Sequence, residues 1–467
     1  MAICTSNLTS GFIDLATYDE QEKYMYGGRH ATAYFVRETR KSTWFTQVPV
    51  VLSKCSGSPE FGAEWSVQIS RAGDYLLQTW LRVELPKVEV NNTSGNRIRI
   101  RWTRNVGHAL IKECCLTFND LVAARFDNYH LDFWTAFTTP ASKRNGYDNM
   151  IGNVIPLTGH GADPLKLDSH MLNVPLPFFY TRDSGVALPT AALPYNDMRI
   201  QFQFRGLEEL LIVDECDGTR ERSLCTLPAG VTYVGGEPKL KNVAVWANYA
   251  IVSNDERKRM ACAPRDILIE QVQTAPPCGF HPKATTTPEQ YDVRFSHAIK
   301  CLFFAVRNKT LACEHANYTT SPATTFDTNN ATDFDTTGFD PIREASLLYE
   351  NTVRLGCMGS DFYSLVEPYY KAPAIPMVTG YHMYSYSLDF YNLDPMGSTN
   401  FGKLTNVGLR ICPSEEAVKA AAGQLVNEAG NCGRGNNYDE QKFEFVVTAV
   451  NNNIVRISGG ALGFPVL

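Results

Sequence analysis

Apolar and polar residues alternate in segment after segment of this 467-residue chain. A period of two is the mark of a β-strand with one buried face and one wet face. Over residues 198–204, Met198, Ile200, Phe202 and Phe204 take one side while Arg199, Gln201 and Gln203 take the other. Over residues 74–85, Leu77, Thr79, Leu81, Val83 and Leu85 oppose Gln78, Trp80, Arg82 and Glu84. Residues 98–102, 243–251, 299–306, 384–390 and 443–450 repeat the pattern. Such strands build antiparallel sheets that pack face to face.

Helical signals are few. Residues 121–134 carry Leu121, Ala124, Phe126, His130 and Phe133 at loosely helical spacing and predict one helix. The Ala-rich residues 415–428 predict a second helix or, given Gly423, Gly430 and Gly433, a loop. No regular exchange of strands with long helices occurs, which excludes a parallel α/β sheet. The strand groups fall into two sets, from about Trp44 to Phe204 and from about Val243 to Ile457. Each is large enough for eight strands, the size of a jelly roll. The expected fold is therefore all-β, two tandem jelly-roll β-sandwiches with a few short helices in loops. The expected divisions are an N-terminal arm over 1–30, a first jelly roll over 31–207, a connection over 208–241 and a second jelly roll over 242–467.

With 43 basic and 49 acidic residues the formal net charge is −6, and the densest basic run is only Arg37-Glu38-Thr39-Arg40-Lys41. A nucleic-acid coat normally needs a basic stripe to neutralise phosphates, so direct nucleic-acid binding is not expected. The thirteen cysteines are scattered from Cys4 to Cys432 without a Cys-x-x-Cys pair, and adjacent Cys114-Cys115 cannot form an unstrained bridge. They read as thiols of a reduced compartment. No charged-then-apolar leader and no apolar run of eighteen residues is seen, so neither a signal peptide nor a membrane span is expected. The sequons at Asn7, Asn91, Asn92, Asn308, Asn317 and Asn330 are read as chance matches.

Catalytic signatures are missing: no Walker loop, dinucleotide glycine fingerprint, zinc-protease helix or nucleophile elbow. Asp183-Ser184-Gly185 has the outline of a serine nucleophile but reads as a turn. His160, Asp163, Asp168 and His170 cluster without metal-ligand spacing. Asp327, Asp333, Asp335 and Asp340 form an acidic loop that lacks the calcium-loop order. No catalytic residue, metal ligand or cofactor site is assigned, and an enzyme is not expected. Tyr381, Tyr384, Tyr386, Phe390 and Tyr391 put aromatics on both faces of one strand, as in a strand covered on both sides within a sandwich or at a subunit interface. The plainer reading is core plus one exposed ring, and sugar stacking is the alternative of a carbohydrate-binding (receptor-binding) module.

Longer motifs carry a resemblance. They include Thr9-Ser10-Gly11-Phe12-Ile13-Asp14-Leu15, Ser70-Arg71-Ala72-Gly73-Asp74-Tyr75-Leu76, Phe118-Asn119-Asp120-Leu121-Val122-Ala123 and Gly146-Tyr147-Asp148-Asn149-Met150-Ile151-Gly152-Asn153. Arg182-Asp183-Ser184-Gly185-Val186-Ala187-Leu188-Pro189 is the most specific. Asp394-Pro395-Met396-Gly397-Ser398-Thr399-Asn400 and Gly463-Phe464-Pro465-Val466-Leu467 follow in order. In these the chain resembles the iridovirus major capsid proteins over nearly its whole length, above all those of invertebrate iridescent viruses. The resemblance implies a double jelly roll and a homotrimer forming a pseudo-hexagonal capsomer. It further implies lattice contacts between trimers, contact with minor capsid proteins, a coat over an inner lipid membrane, and a virion outer capsid assembled in the host cytoplasm. The pattern is broken at Gly206-Leu207, where an aromatic is usual, and at Gly107-His108-Ala109. It also fails over the loops at 214–238, 278–289, 312–340 and 414–437, so no outer-surface role carries over.

Overall fold

The computed structural model describes residues 8–158, 163–216, 221–321, 338–424 and 440–464. Residues Met1–Trp44 form one unit and Phe45–Leu467 another. The first holds two short helices, Leu8–Ala16 and Glu20–Met25, neither of which buries a side chain. The arm thus ends at Trp44, not at residue 30.

Among shorter strands, eight build the two main sheets of the first sandwich: β1 (Phe45–Val51), β2 (Glu64–Gln68), β3 (Tyr75–Leu85), β4 (Ile111–Phe118), β5 (Leu121–Asp127), β6 (His170–Pro175), β7 (Met198–Phe204) and β8 (Lys241–Val252). Pairing is antiparallel in the orders β1-β8-β3-β6 and β2-β7-β4-β5, with Ser53–Gly57 added outside β2. A second set of eight follows: β9 (Arg265–Thr274), β10 (Glu289–Asp292), β11 (Ala298–Asn308), β12 (Ile342–Tyr349), β13 (Thr352–Gly359), β14 (His382–Ser385), β15 (Val407–Pro413) and β16 (Phe443–Ser458). Its orders are β9-β16-β11-β14 and β10-β15-β12-β13, the same permutation shifted by eight. The chain is a double jelly roll.

Strand β8 lies between β1 and β3, so the first jelly roll closes at Val252, and a connection over 208–241 with a second jelly roll from 242 does not hold. Residues 208–240 are an excursion within the first jelly roll, including the short strands Leu211–Cys216 and Glu221–Leu224. A strand's local pattern records that one face is buried but not which sheet it joins.

Met198, Ile200, Phe202 and Phe204 are all buried, and Trp65 stacks on Phe202 and Phe204 at 5.6 and 6.1 Å. In β3 the alternation breaks once. Asn248 pairs with Gln78 but Tyr249 with Leu76, so Leu77 is an extra residue in a β-bulge. Leu76, not Leu77, is therefore the buried residue at that end.

The helix expected over 121–134 is half right. Residues 121–127 are strand β5, and the helix is Asn128–Thr138. Asn119 and Asp120 both have positive φ and form the two-residue turn that joins β4 to β5. Its twist matches that of paired strands, and asparagine and aspartate tolerate the left-handed region. Glu350 and Asn351 do the same between β12 and β13. The 415–428 segment contains the helix Glu415–Ala421, capped by Ser414 Oγ, while 425–428 lie outside the described residues.

Candidate functional site

The two sandwiches meet along a buried seam. Asp127 Oδ1 accepts from His130 N at 2.9 Å and starts the helix Asn128–Thr138 directly after β5. Tyr129, Phe133, Ala136 and Phe137 then recur at i, i+4, i+7 and i+8, one face of a helix. That face packs on the outer side of the β9-β16-β11-β14 sheet, against Cys301, Phe303, Ala305, Met383 and Val446. Phe133 and Phe137 both stack on Phe303, at 6.1 and 5.4 Å. The opposite side of β11 places Ile299, Leu302, Phe304 and Val306 in the second core. Covered on both faces, β11 is a continuous apolar run over 301–306, so the one-sided alternation expected for 299–306 does not hold there. Each fully buried phenylalanine contributes about 2–3 kcal/mol.

Several polar groups in the seam are paired, although His130 Nδ1 has no hydrogen-bond partner among the described residues. Asp132 Oδ1 accepts from His108 Nδ1 at 2.7 Å and Asn105 Nδ2 at 3.1 Å, and its Oδ2 accepts from the Tyr318 hydroxyl at 3.0 Å. Burial, with the Asp132 charge beside it, pushes the Tyr318 hydroxyl well above the usual range. Across β9 and β11, Lys300 Nζ donates to Glu270 Oε1 at 2.5 Å and to the Asn392 carbonyl. Arg182, from the first sandwich, brings Nη1 to 3.1 Å from Glu270 Oε2 and lies over the Trp134 and Tyr391 rings. One buried carboxylate therefore holds two buried cations from two sandwiches. His130, buried beside Arg182, has its imidazole pushed down to about 3, first by desolvation and then by that cation, so it is neutral.

A covalent tie adds to these contacts. Cys225, in the 208–240 excursion, is disulfide-bonded to Cys313, between β11 and β12. This corrects the reading of all cysteines as thiols. The partners stand 88 residues apart, and no local spacing could have paired them. In the same excursion Asp214 sits between Arg99 and Arg101. Burial raises its carboxyl pKa, but Arg101 and Arg99 outweigh that and hold it below the ordinary range.

The residues singled out for chemistry do not converge. Asp163 accepts from Leu165 N, Asp168 is exposed, and His170 faces the Asn149 carbonyl at 3.3 Å. His160 lies outside the described residues, as do Asp327, Asp333 and Asp335. Asp340 accepts from His382 Nε2 at 2.7 Å. Asp183 caps the short turn Ser184–Val186 and accepts from Gly185 N. Among the described residues no three His, Cys, Asp or Glu side chains gather as metal ligands. Tyr381 and Phe390 are buried in the seam, Tyr384 and Tyr386 flank the second core, and Tyr391 is 45% exposed; β14 stops at Ser385. Asn308 and Asn317 are buried, which closes those two sequons to a glycan in the folded chain. At Gly107 a Cβ would stand 2.9 Å from the Ile151 carbonyl oxygen, so this departure from the motif serves a close backbone approach.

Sequence relatives identify the setting in which this pair of sandwiches works. The chain is 59% identical to the major capsid protein of Costelytra zealandica iridescent virus and 58% identical to that of invertebrate iridescent virus 6, in each case over 100% of both chains. The chain belongs to the family of iridescent virus major capsid proteins. Residues 33–252 match the family model described as major capsid protein N-terminus, and residues 256–463 match that of the large eukaryotic DNA virus major capsid protein. The break between these matches falls just after β8, where the first jelly roll closes. Among solved structures, the PBCV-1 virus capsid is similar with a TM-score of 0.69 at 20% identity, covering 93% of this chain and all of that one. The Faustovirus major capsid protein gives 0.69 at 11%, covering 92% and 93%. These two share the fold. The chain is a structural protein of the virion capsid, not an enzyme. No helix among the described residues is long and apolar enough to cross a membrane.

Proposed function

We propose that three copies of this major capsid protein form a homotrimer of pseudo-hexagonal outline, and that such trimers tile the icosahedral outer shell of a large DNA virus. The observation that carries this reading is the pair of sandwiches with one strand order, joined by the buried seam. Three such pairs set six similar lobes around a threefold axis. Closed symmetry satisfies the contacts inside the trimer and leaves lateral faces for neighbours. Many weak lateral contacts then add up across a shell. Interfaces inside the trimer are expected to bury roughly 2,000 Å² or more, as in obligate assemblies, and those between trimers less.

The same reading places assembly in the host cytoplasm, with minor capsid proteins and an inner lipid membrane beneath the coat. The arm supplies apolar side chains for such contacts, since Phe12, Leu15 and Tyr24 are all exposed. It is proposed to pack under the base of the trimer. Sedimentation or mass photometry of the purified protein should give three times the 52.1 kDa chain mass. A stable monomer at micromolar concentration overturns the trimer. Deleting residues 1–28 should leave the sandwiches folded and impair shell assembly; unchanged assembly removes the role of the arm.

A further inference from the structure

In each sandwich the strand that follows a two-residue hairpin turn leads straight into a helix, yet the two helices differ in what covers them. After β5, the rings of Asn128–Thr138 are buried on the outer face of the second sandwich. After β13, the helix formed by Phe362–Val366 and Glu367–Lys371 leaves Leu365, Val366, Tyr369 and Tyr370 exposed by 53%, 44%, 69% and 76%. Leu365 and Tyr369 are four apart, as are Val366 and Tyr370, so they form one apolar stripe.

The receiving surface also occurs twice. In the second sandwich, Thr274, Thr448, Phe303 and Met383 stand opposite one another across β9, β16, β11 and β14. The helix rings stack on Phe303 in that row. In the first sandwich the corresponding strands β1, β8, β3 and β6 place Val51, Trp246, Trp80 and Pro175 in one row. This row lies on the outer face, with Val51 46% exposed and the two tryptophans stacked at 6.3 Å. Trp80 and Pro175 also line a groove of about 680 Å³, walled by Leu131, Trp134, Tyr147 and Met150.

We infer that the Leu365–Tyr370 stripe of one copy docks on the Trp80–Trp246 row of a second copy, repeating between chains the contact already made within each chain. This rests on the trimer reading and specifies its interface. The contact is head-to-tail: the helix of the first sandwich covers the second, and the helix of the second covers the first of the next chain. Such a contact closes into a ring when the rotation permits. A ring of six lobes, joined alternately within and between chains, takes three copies.

The test is a full-length chain with the photo-crosslinking amino acid p-benzoylphenylalanine in place of Tyr369, irradiated after its mass in solution has been measured. Expected is a product of twice the chain mass, with the linked peptide falling in 75–85, 170–175 or 241–252. Trimers whose crosslinks map elsewhere, to residues 1–44 of either chain, or nowhere, overturn this interface and leave the trimer standing. A monomer by sedimentation overturns the trimer reading itself. In parallel, Leu365→Glu with Tyr369→Glu should raise the dissociation constant of the trimer at least tenfold with the melting of the isolated chain unchanged. Trimers as stable as those of the unmodified chain overturn the inference.

Discussion

The helix that follows β5 and the helix that follows β13 occupy the same place in two sandwiches of identical strand order, yet the rings of one are sealed while the other, anchored through Tyr363, leaves an apolar stripe exposed. The first carries rings spaced to meet a sheet that the same chain supplies. The second carries an apolar stripe with its side chains in solvent. Topology therefore sets where a binding element emerges, and side chains decide whether the chain satisfies it internally. A pair of sandwiches so joined has one internal seam and one left over.

The comparison is broken most directly at the sealed seam. Glu270→Ala leaves Lys300 and Arg182 buried without their shared carboxylate, and should cost about 4–5 kcal/mol in chemical unfolding. A loss below 1 kcal/mol would mean that the ion set does not hold the sandwiches together. Phe133→Ala removes a ring that touches Phe303, Tyr318 and Tyr381, and should cost about 3–4 kcal/mol. Replacing Cys225 and Cys313 together by serine should lower stability by about 2–4 kcal/mol, read as a shift of the unfolding midpoint.

A smaller effect is expected at Asp127, whose carboxyl is pushed up to about 6, chiefly by desolvation. The folded chain then binds this proton more tightly than the unfolded chain does. Stability from this group is full below about pH 4 and is lost as the pH rises through about 6. Asp127→Asn keeps a capping side chain and removes the titration. The gap between variant and parent should widen in favour of the variant from pH 4 to pH 6, in urea midpoints at constant salt. Tyr369→Ala on the bare helix should change the stability of the isolated chain by less than about 0.5 kcal/mol. A loss as large as that of Phe133→Ala would erase the contrast between the helices.

Much of this architecture was legible in the residues. The alternation at 198–204 marks β7 at both ends, because that strand is regular and buried on one side. Phase was misread in β3, where the bulge at Leu77 inserts one residue, and in β5, where a two-residue turn outranks helical spacing. Pairings between distant residues left no local trace: β8 with β1 and β3, Cys225 with Cys313, and Arg182 with Glu270. The seam did leave a signal in the spacing of Tyr129, Phe133, Ala136 and Phe137. It is displaced from the set Phe126, His130 and Phe133, which mixes the strand end with the helix.

The sixteen-residue strand β16 has one further consequence. Phe443, Phe445 and Val447 fill the core of the second sandwich, while Val455 and Ile457, with Ile267 and Ile269 of β9, sit in the core of the first. One continuous ladder thus belongs to both hydrophobic interiors. Severing the polypeptide near residue 254 would strip the first interior of Ile267, Ile269, Val455 and Ile457 and bare the outer face of the second sandwich where Phe133 and Phe137 pack, so melting is expected as a single cooperative event and neither half is expected to survive as a free-standing module.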